Sequence, residues 1–278
     1  MEYIIIGVHG LYNKPEPEIL SDGWQKAIIE GLTKNEKLSI ENINFKMMYW
    51  ADIMYPEYDT NAELYKEATD GALKEYKDGW IDNARATIQG HSDTLLDFAK
   101  SLFNIDFVGD EVLERKAKDL YKYYFDEEKR NKIRNRFIEL FKEHQDKKII
   151  IASHSMGTIV AYDSLVKLHQ EDPLINIEHF ITMGSPLGLP HVKYRIYEEF
   201  KKTTTPDNTL KWSNFSDKRD KISIDTHLKD DYTPNENDVK VKDDLVFNDW
   251  EGNPHKSYGY LRTPEFSKAI NLTLKGHI

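Results

Sequence analysis

Lys148-Ile149-Ile150-Ile151-Ala152-Ser153-His154-Ser155-Met156-Gly157 joins an unbroken apolar run to a turn of small residues centred on a serine. The run is short, β-branched and apolar at successive positions, which predicts a strand buried on both faces. A serine on a sharp strand-to-helix turn has no room for bulky neighbours two positions away, and Ser153 and Gly157 are small where that crowding falls. From Thr158 to Leu168 apolar residues recur at helical spacing, so the turn passes from strand into helix. Ser155 is therefore the candidate nucleophile. The plainer alternative is a serine and a glycine that merely end a strand.

Working outward, Tyr3 to Val8 is a second apolar, β-branched run, closed by His9-Gly10-Leu11-Tyr12. Ser21 to Leu32 reads as a helix capped by Ser21 or Asp22, with Trp24, Ala27, Ile28 and Leu32 on one face. Asn42 to Trp50 returns as strand. A strand, helix, strand order asks for a right-handed crossover in a parallel sheet. Glu127 to His144 carries Ile133, Phe137, Leu140 and Phe141 at helical spacing and feeds the Ile149 strand. Beyond the serine helix, strands are expected over 177–183 and 209–215, a short helix over 194–201, short edge strands near Val239, Val241, Leu245 and Val246, and a closing helix over 264–274. Such alternation predicts an α/β fold: an open, mostly parallel sheet with helices on both faces.

Between Ala51 and Asp126 the alternation stops and aromatic residues accumulate among charged ones. Helices are expected over 61–76, 79–103 and 110–124. A stretch that long is not a structureless loop. The division is therefore a core of 1–50 and 127–278 and a helical insertion of 51–126, whose aromatic face either widens the core or caps the serine and lines an apolar substrate pocket.

Composition narrows the function classes. The 278 residues carry 38 Lys and Arg against 48 Asp and Glu, a formal charge of -10, which opposes non-specific attraction to nucleic acid. There is no cysteine, so disulfides, thiolate catalysis and cysteine metal sites are excluded together. The first apolar run is too short for a signal-peptide core, and no run approaches a membrane span, so a cytoplasmic location without a transmembrane segment is expected.

A serine hydroxyl needs a base, and the base needs a carboxylate to fix its tautomer. In parallel sheets such groups gather on loops at the carboxyl ends of strands. That filter leaves Asp217 and Asp220 as acids, with Asp225 further out, and His255 as base, with His227 and His277 as rivals. His154 is expected to point away from Ser155. His9, at the end of the first strand, is either a wall residue of the site beside Gly10 or a buried core histidine. Asp225-Thr226-His227 is too small a set for a metal site, and no metal is expected.

Ser153-His154-Ser155-Met156-Gly157 after an apolar strand, His9-Gly10 closing an earlier one, an acid after a later strand and a histidine near the end resemble the α/β-hydrolase superfamily, and within it lipase- and esterase-like serine hydrolases. Trp212 to Ile222 resembles the family segment in which a strand ending Trp-x-Asn precedes the acid, and Asp220 fills that position. Met183 to Gly188 resembles the Gly-Ser-Pro loop behind the nucleophile, and His255-Lys256-Ser257-Tyr258 the histidine loop before the last helix. The resemblance implies Ser155, Asp220 and His255 as catalytic residues and the backbone N–H groups of Leu11 and Met156 as the oxyanion hole. It also implies a small-molecule or lipid-like acyl substrate and no cofactor, with hydrolysis of an ester or related acyl bond, transfer to another acceptor, or a non-catalytic scaffold as the possible outcomes. Two features depart from the family pattern: Ser153 stands where glycine is usual, and the insertion precedes the nucleophile strand.

Overall fold

The computed structural model describes residues 2–69, 71–77, 119–223 and 225–276. Six strands, β1 (Tyr3–Val8), β2 (Phe45–Met48), β3 (Lys148–His154), β4 (His179–Met183), β5 (Trp212–Ser216) and β6 (Val241–Leu245), form one sheet in the order β2-β1-β3-β4-β5-β6. All five pairings are parallel. The chain leaves β1 for β2 on one side, then crosses back to build β3 to β6 on the other. The reversal lies between β1 and β3, where an open α/β sheet forms a crevice at its carboxyl edge. Register carries this through to the residues that matter: Val8 pairs with Ser153, and His154 with Met183.

Alternation along the strands divides the core in two. Ile4, Ile6, Val8, Ile149 and Ile151 pack beneath α3 (Glu127–Glu143), α4 (Met156–Glu171) and α5 (Pro190–Phe200). Ile5, Ile150, Ala152, Ile181, Met183 and Phe215 pack against α1 (Pro17–Glu36), α6 (Ser257–Leu261) and α7 (Pro264–Leu274). Both faces of each central strand are thus dry, which is why those strands read as continuous apolar runs and not as alternating ones.

Local chemistry sets the helix ends. Asp126 accepts from the Lys129 N–H at 3.1 Å to open α3, and Thr263 accepts from the Phe266 N–H at 3.3 Å to open α7 with Pro264 next in line. The first helix starts earlier than the Ser21 or Asp22 cap expected from sequence. Pro17 occupies its first turn, and Ser21 lies inside the helix, where its hydroxyl accepts from Gln25 Nε2 at 3.3 Å.

The insertion departs most from expectation. Ala51–Met54 forms one helical turn, α2, and residues 119–125 are helical, but the described residues between 55 and 77 contain no helix. The helix expected over 61–76 is replaced by a strap bound to the α1, α6 and α7 side of the core. Tyr65 donates to Glu30 at 2.7 Å, the Ala68 N–H to Glu30 at 3.0 Å, and the Tyr76 N–H to Glu265 at 3.0 Å, while Lys66 C=O accepts from Arg262 at 2.9 Å. Backbone groups that a helix would pair internally are spent on tertiary partners, which here override propensity. The helix expected over 79–103 and most of that over 110–124 lie outside the described residues.

Candidate active site

Ser155 sits at the end of β3, immediately before α4, with φ 56° and ψ −132°. That is a strained conformation for a residue with a side chain, held by its surroundings. The Ser155 N–H donates to Met183 C=O at 3.0 Å, and Thr158 Oγ1 closes the turn on Ser155 C=O at 2.7 Å. Two glycines make the approach possible. A Cβ on Gly157 would lie 2.4 Å from Val8 O, so α4 could not come so near β1 with any larger residue; a Cβ on Gly10 would lie 2.7 Å from Ser155 Cβ. Ser153, in place of the usual glycine, is accommodated because its hydroxyl donates to Ile181 C=O at 2.7 Å.

His255 reaches the serine from the loop before α6. Its Nε2 lies 2.9 Å from Ser155 Oγ and its Nδ1 2.7 Å from Asp220 Oδ2. A carboxylate accepts only, so Nδ1 carries the proton toward Asp220, and Nε2 is left to accept from the serine. Ser155 and Asp220 are buried, while the His255 side chain remains 17% exposed toward the cavity. Burial alone would raise the Asp220 carboxyl pKa. The electrostatic pull and hydrogen bond of the His255 ring, with the Ile222 N–H at 2.8 Å and the Tyr260 hydroxyl at 2.7 Å, outweigh it and hold the carboxyl below its ordinary value.

Asp217, the other candidate acid, faces elsewhere. It binds the Arg219 N–H, Nε and guanidinium and the Asn248 N–H, and so fastens its own loop to the segment after β6. His227 lies in a turn in which its N–H donates to Asp225 at 3.0 Å and its ring meets Thr226 Oγ1. His277 is outside the described residues. Among the described residues no group of three His, Asp or Glu side chains is arranged to hold a metal ion.

His9 fixes the loop opposite the serine. The Trp50 N–H donates to His9 Nε2 at 3.0 Å, so the proton is on Nδ1, which donates to Gly10 C=O at 2.9 Å. The carbonyl so held belongs to the same peptide unit as the Leu11 N–H. Burial, with Lys14 nearby, keeps the His9 ring neutral by lowering its pKa well below the ordinary histidine value. Lys14 Nζ binds the carbonyls of Leu11 and Tyr12, and steadies Tyr12 at its positive φ of 72°. The Met156 N–H lies in the first turn of α4, where backbone donors have no acceptor within the helix.

A cavity of about 700 Å³ opens over these groups. His9, Gly10, Leu11, Ser155 and His255 line it, together with Tyr55, Asp59, Ala62 and Glu63 from the segment that follows α2. Sequence reasoning missed two groups around it. His154, expected only to point away from Ser155, donates through Nε2 to His255 C=O at 2.8 Å, and Tyr260 donates to Asp220. The first stands beside Ser155 and the second five residues beyond His255, but neither spacing has a meaning until the loops meet.

Residues 80–196 match the family described as lecithin:cholesterol acyltransferase. The matched stretch contains Ser155 and Met156 and ends before Asp220 and His255. No curated protein matches the chain significantly. The six-stranded parallel sheet with helices on both faces is an α/β-hydrolase-like fold, and over residues 80–196, less than half of its length, the chain is similar to that acyltransferase family.

Proposed function

We propose that this chain catalyses acyl transfer through an acyl-serine at Ser155. The observation that carries the reading is the continuous hydrogen-bonded path from Ser155 Oγ through His255 to Asp220, 2.9 Å and then 2.7 Å long. In this reaction His255 Nε2 takes the Oγ proton as the oxygen attacks an ester carbonyl, and Asp220 supports the imidazolium on the other side of the ring. The Leu11 and Met156 N–H groups receive the oxyanion, each such donor lowering the barrier by about 2.7 to 4 kcal/mol. The departing alcohol leaves with the proton from Nε2. An acceptor then gives its own proton to Nε2 and attacks the acyl carbonyl, and as the Oγ–acyl bond breaks Nε2 returns that proton to Ser155 Oγ.

Two acceptors fit this cycle. Water makes the enzyme an esterase of the lipase type. An alcohol makes it an acyltransferase, and the match to a family named for acyl transfer to a sterol favours that second reading. A purely scaffolding role has no use for a base within hydrogen-bond reach of a buried serine. Tyr55, Asp59, Ala62 and Glu63 line the same cavity as Ser155, where the acyl or alcohol part would lie.

A fluorophosphonate probe tests the chemistry. Covalent labelling should map to Ser155 and vanish in Ser155→Ala, and a folded wild-type chain that stays unlabelled overturns the proposal. Incubating an acyl ester with competing alcohols then separates the acceptors, since transfer yields a new ester and hydrolysis yields only free acid.

A further inference from the structure

Asp220 has two oxygens and unequal partners for them. Oδ1 accepts the Ile222 N–H at 2.8 Å. Oδ2 is shared: His255 Nδ1 lies at 2.7 Å and the Tyr260 hydroxyl at 2.7 Å. The direction of that second bond is fixed. The Tyr260 oxygen already accepts the Asp217 N–H at 3.1 Å, so its one proton is free to point at the carboxylate, which can only accept. Tyr260 is fully buried, and its ring lies against Gly184 and 5.9 Å from the ring of His154. Its backbone is held as well, because Thr263 Oγ1 donates to Tyr260 C=O at 2.9 Å. A rigid donor therefore competes with His255 for the same oxygen.

We propose that Tyr260 is a positioning residue for the proposed acyl transfer: its hydroxyl holds Asp220 Oδ2 in line with His255 Nδ1 and, by drawing charge from that oxygen, sets how basic His255 is. The inference rests on the acyl-serine reading above. The physical argument is one of competition. Charge-assisted hydrogen bonds are the strong ones, and each donor to a carboxylate oxygen reduces what the carboxylate offers to the next. With Tyr260 in place, the imidazolium form of His255 is supported less than a bare carboxylate would support it. Removing the hydroxyl therefore favours the imidazolium, and His255 becomes available as a base only at higher pH.

The other titratable groups near the pair have their own partners, Lys256 of the His255 loop on Glu63 among them. His154 reaches His255 from the end of β3, Asp217 approaches from the loop after β5 with Arg219 bound to it, and Lys14 acts from the Gly10 loop within electrostatic range of His154. None of these donates to Asp220 Oδ2. Burial and then the Asp220 charge push the Tyr260 phenol well above its ordinary value, so it stays a neutral donor throughout the pH range of interest.

Tyr260→Phe removes one oxygen and keeps the ring. The pH profile of kcat/KM for a short-chain p-nitrophenyl ester, and of the fluorophosphonate labelling rate, should move its acidic limb to higher pH by about one unit, the scale expected for losing a hydrogen bond to a charged acceptor. Site-specific replacement of Tyr260 by 3-fluorotyrosine, a stronger donor with nearly the same shape, should move the limb the other way. This second variant keeps the test decisive if Tyr260→Phe folds poorly. A limb that stays in place in either folded variant overturns the inference, whatever happens to the overall rate, since a merely structural tyrosine lowers activity without moving the limb. If wild-type Ser155 is labelled and the limb does not move, only the role of Tyr260 falls; if wild-type Ser155 is never labelled, the acyl-serine reading falls and takes this inference with it.

Discussion

His154 Nε2 donates to the backbone carbonyl of His255 across 2.8 Å, and the two imidazole rings lie 4.7 Å apart. The strand that leads to Ser155 thus also holds the loop that carries His255. His154 is neutral with its proton on Nε2, because burial and then the neighbouring His255 hold its pKa well below the ordinary histidine value. His154→Phe keeps the ring packing and loses the bond. Under the proposed reaction, losing a hydrogen bond of about 1 kcal/mol that orients His255 corresponds to a several-fold fall in kcat, with KM little changed. His154→Gln, which can still donate, should recover part of it. Steady-state kinetics on an acyl ester decide the matter: equal losses in the two variants count against an orienting bond.

Asp217 and Asp220 stand three residues apart and do different work. Under the proposed reaction Asp220→Asn leaves His255 with a neutral partner that also favours the wrong tautomer, and a loss of roughly 10⁴-fold in kcat is expected by analogy with serine proteases. Its fold should survive. Asp217→Asn instead weakens the bonds to Arg219 and Asn248, costing about 1 to 3 kcal/mol of stability. Activity at low temperature should stay within an order of magnitude of wild type. Parallel kinetics and thermal melts of the two variants check the division, and a reversed pattern would sink it.

Three histidines, His9, His154 and His179, are buried and held neutral, with burial the largest cause in each. Their folded pKa values lie below the unfolded value near 6.5, so between those limits the unfolded chain binds more protons than the folded one. Stability from this source is complete above pH 6.5 and is lost as pH falls, by up to about 1.4 kcal/mol per pH unit for each histidine. His179 bridges Thr273 and Ser213, 2.9 Å on each side, away from the serine. His179→Gln should therefore flatten the decline of melting temperature between pH 6.5 and 5. Calorimetry across that window measures it, and an unchanged slope counts against burial of a neutral ring.

Arg134 is buried between α3, α4 and α5, with Asp163 at 2.6 Å, Glu199 at 2.5 Å and the Tyr123 hydroxyl at 3.1 Å. Removing one member leaves the other charges buried and uncompensated. Arg134→Met should cost about 3 to 5 kcal/mol, and adding Asp163→Leu should return part of that loss. Denaturant unfolding of the single and double variants gives the comparison. Additive losses would mean that the two residues do not act as a pair.

The sequence by itself determined the frame and the serine. An apolar strand, small residues around Ser155 and a helical period after it are constraints among near neighbours, so they can be read along the chain. The same holds for β1, for α3 and for α7, whose Thr263-Pro264 start is spelled out locally. Tertiary structure decided what depends on loops meeting. By position alone Asp217 and Asp220 are alike, and only the resemblance to a family segment singles out Asp220; in the structure it is Asp220 that His255 meets, from 35 residues away. The 61–76 segment has a helix-forming composition, yet Glu30, Arg262 and Glu265 bind its described residues from distant elements in a non-helical path, and Ala62 and Glu63 line the cavity. His154 and Tyr260 carry no spacing signal either, because their partners are a backbone carbonyl and a carboxylate oxygen fixed by other segments. Periodicity encodes which face of an element is buried. It does not encode which loop will stand opposite, and the chemistry of this site is made between loops.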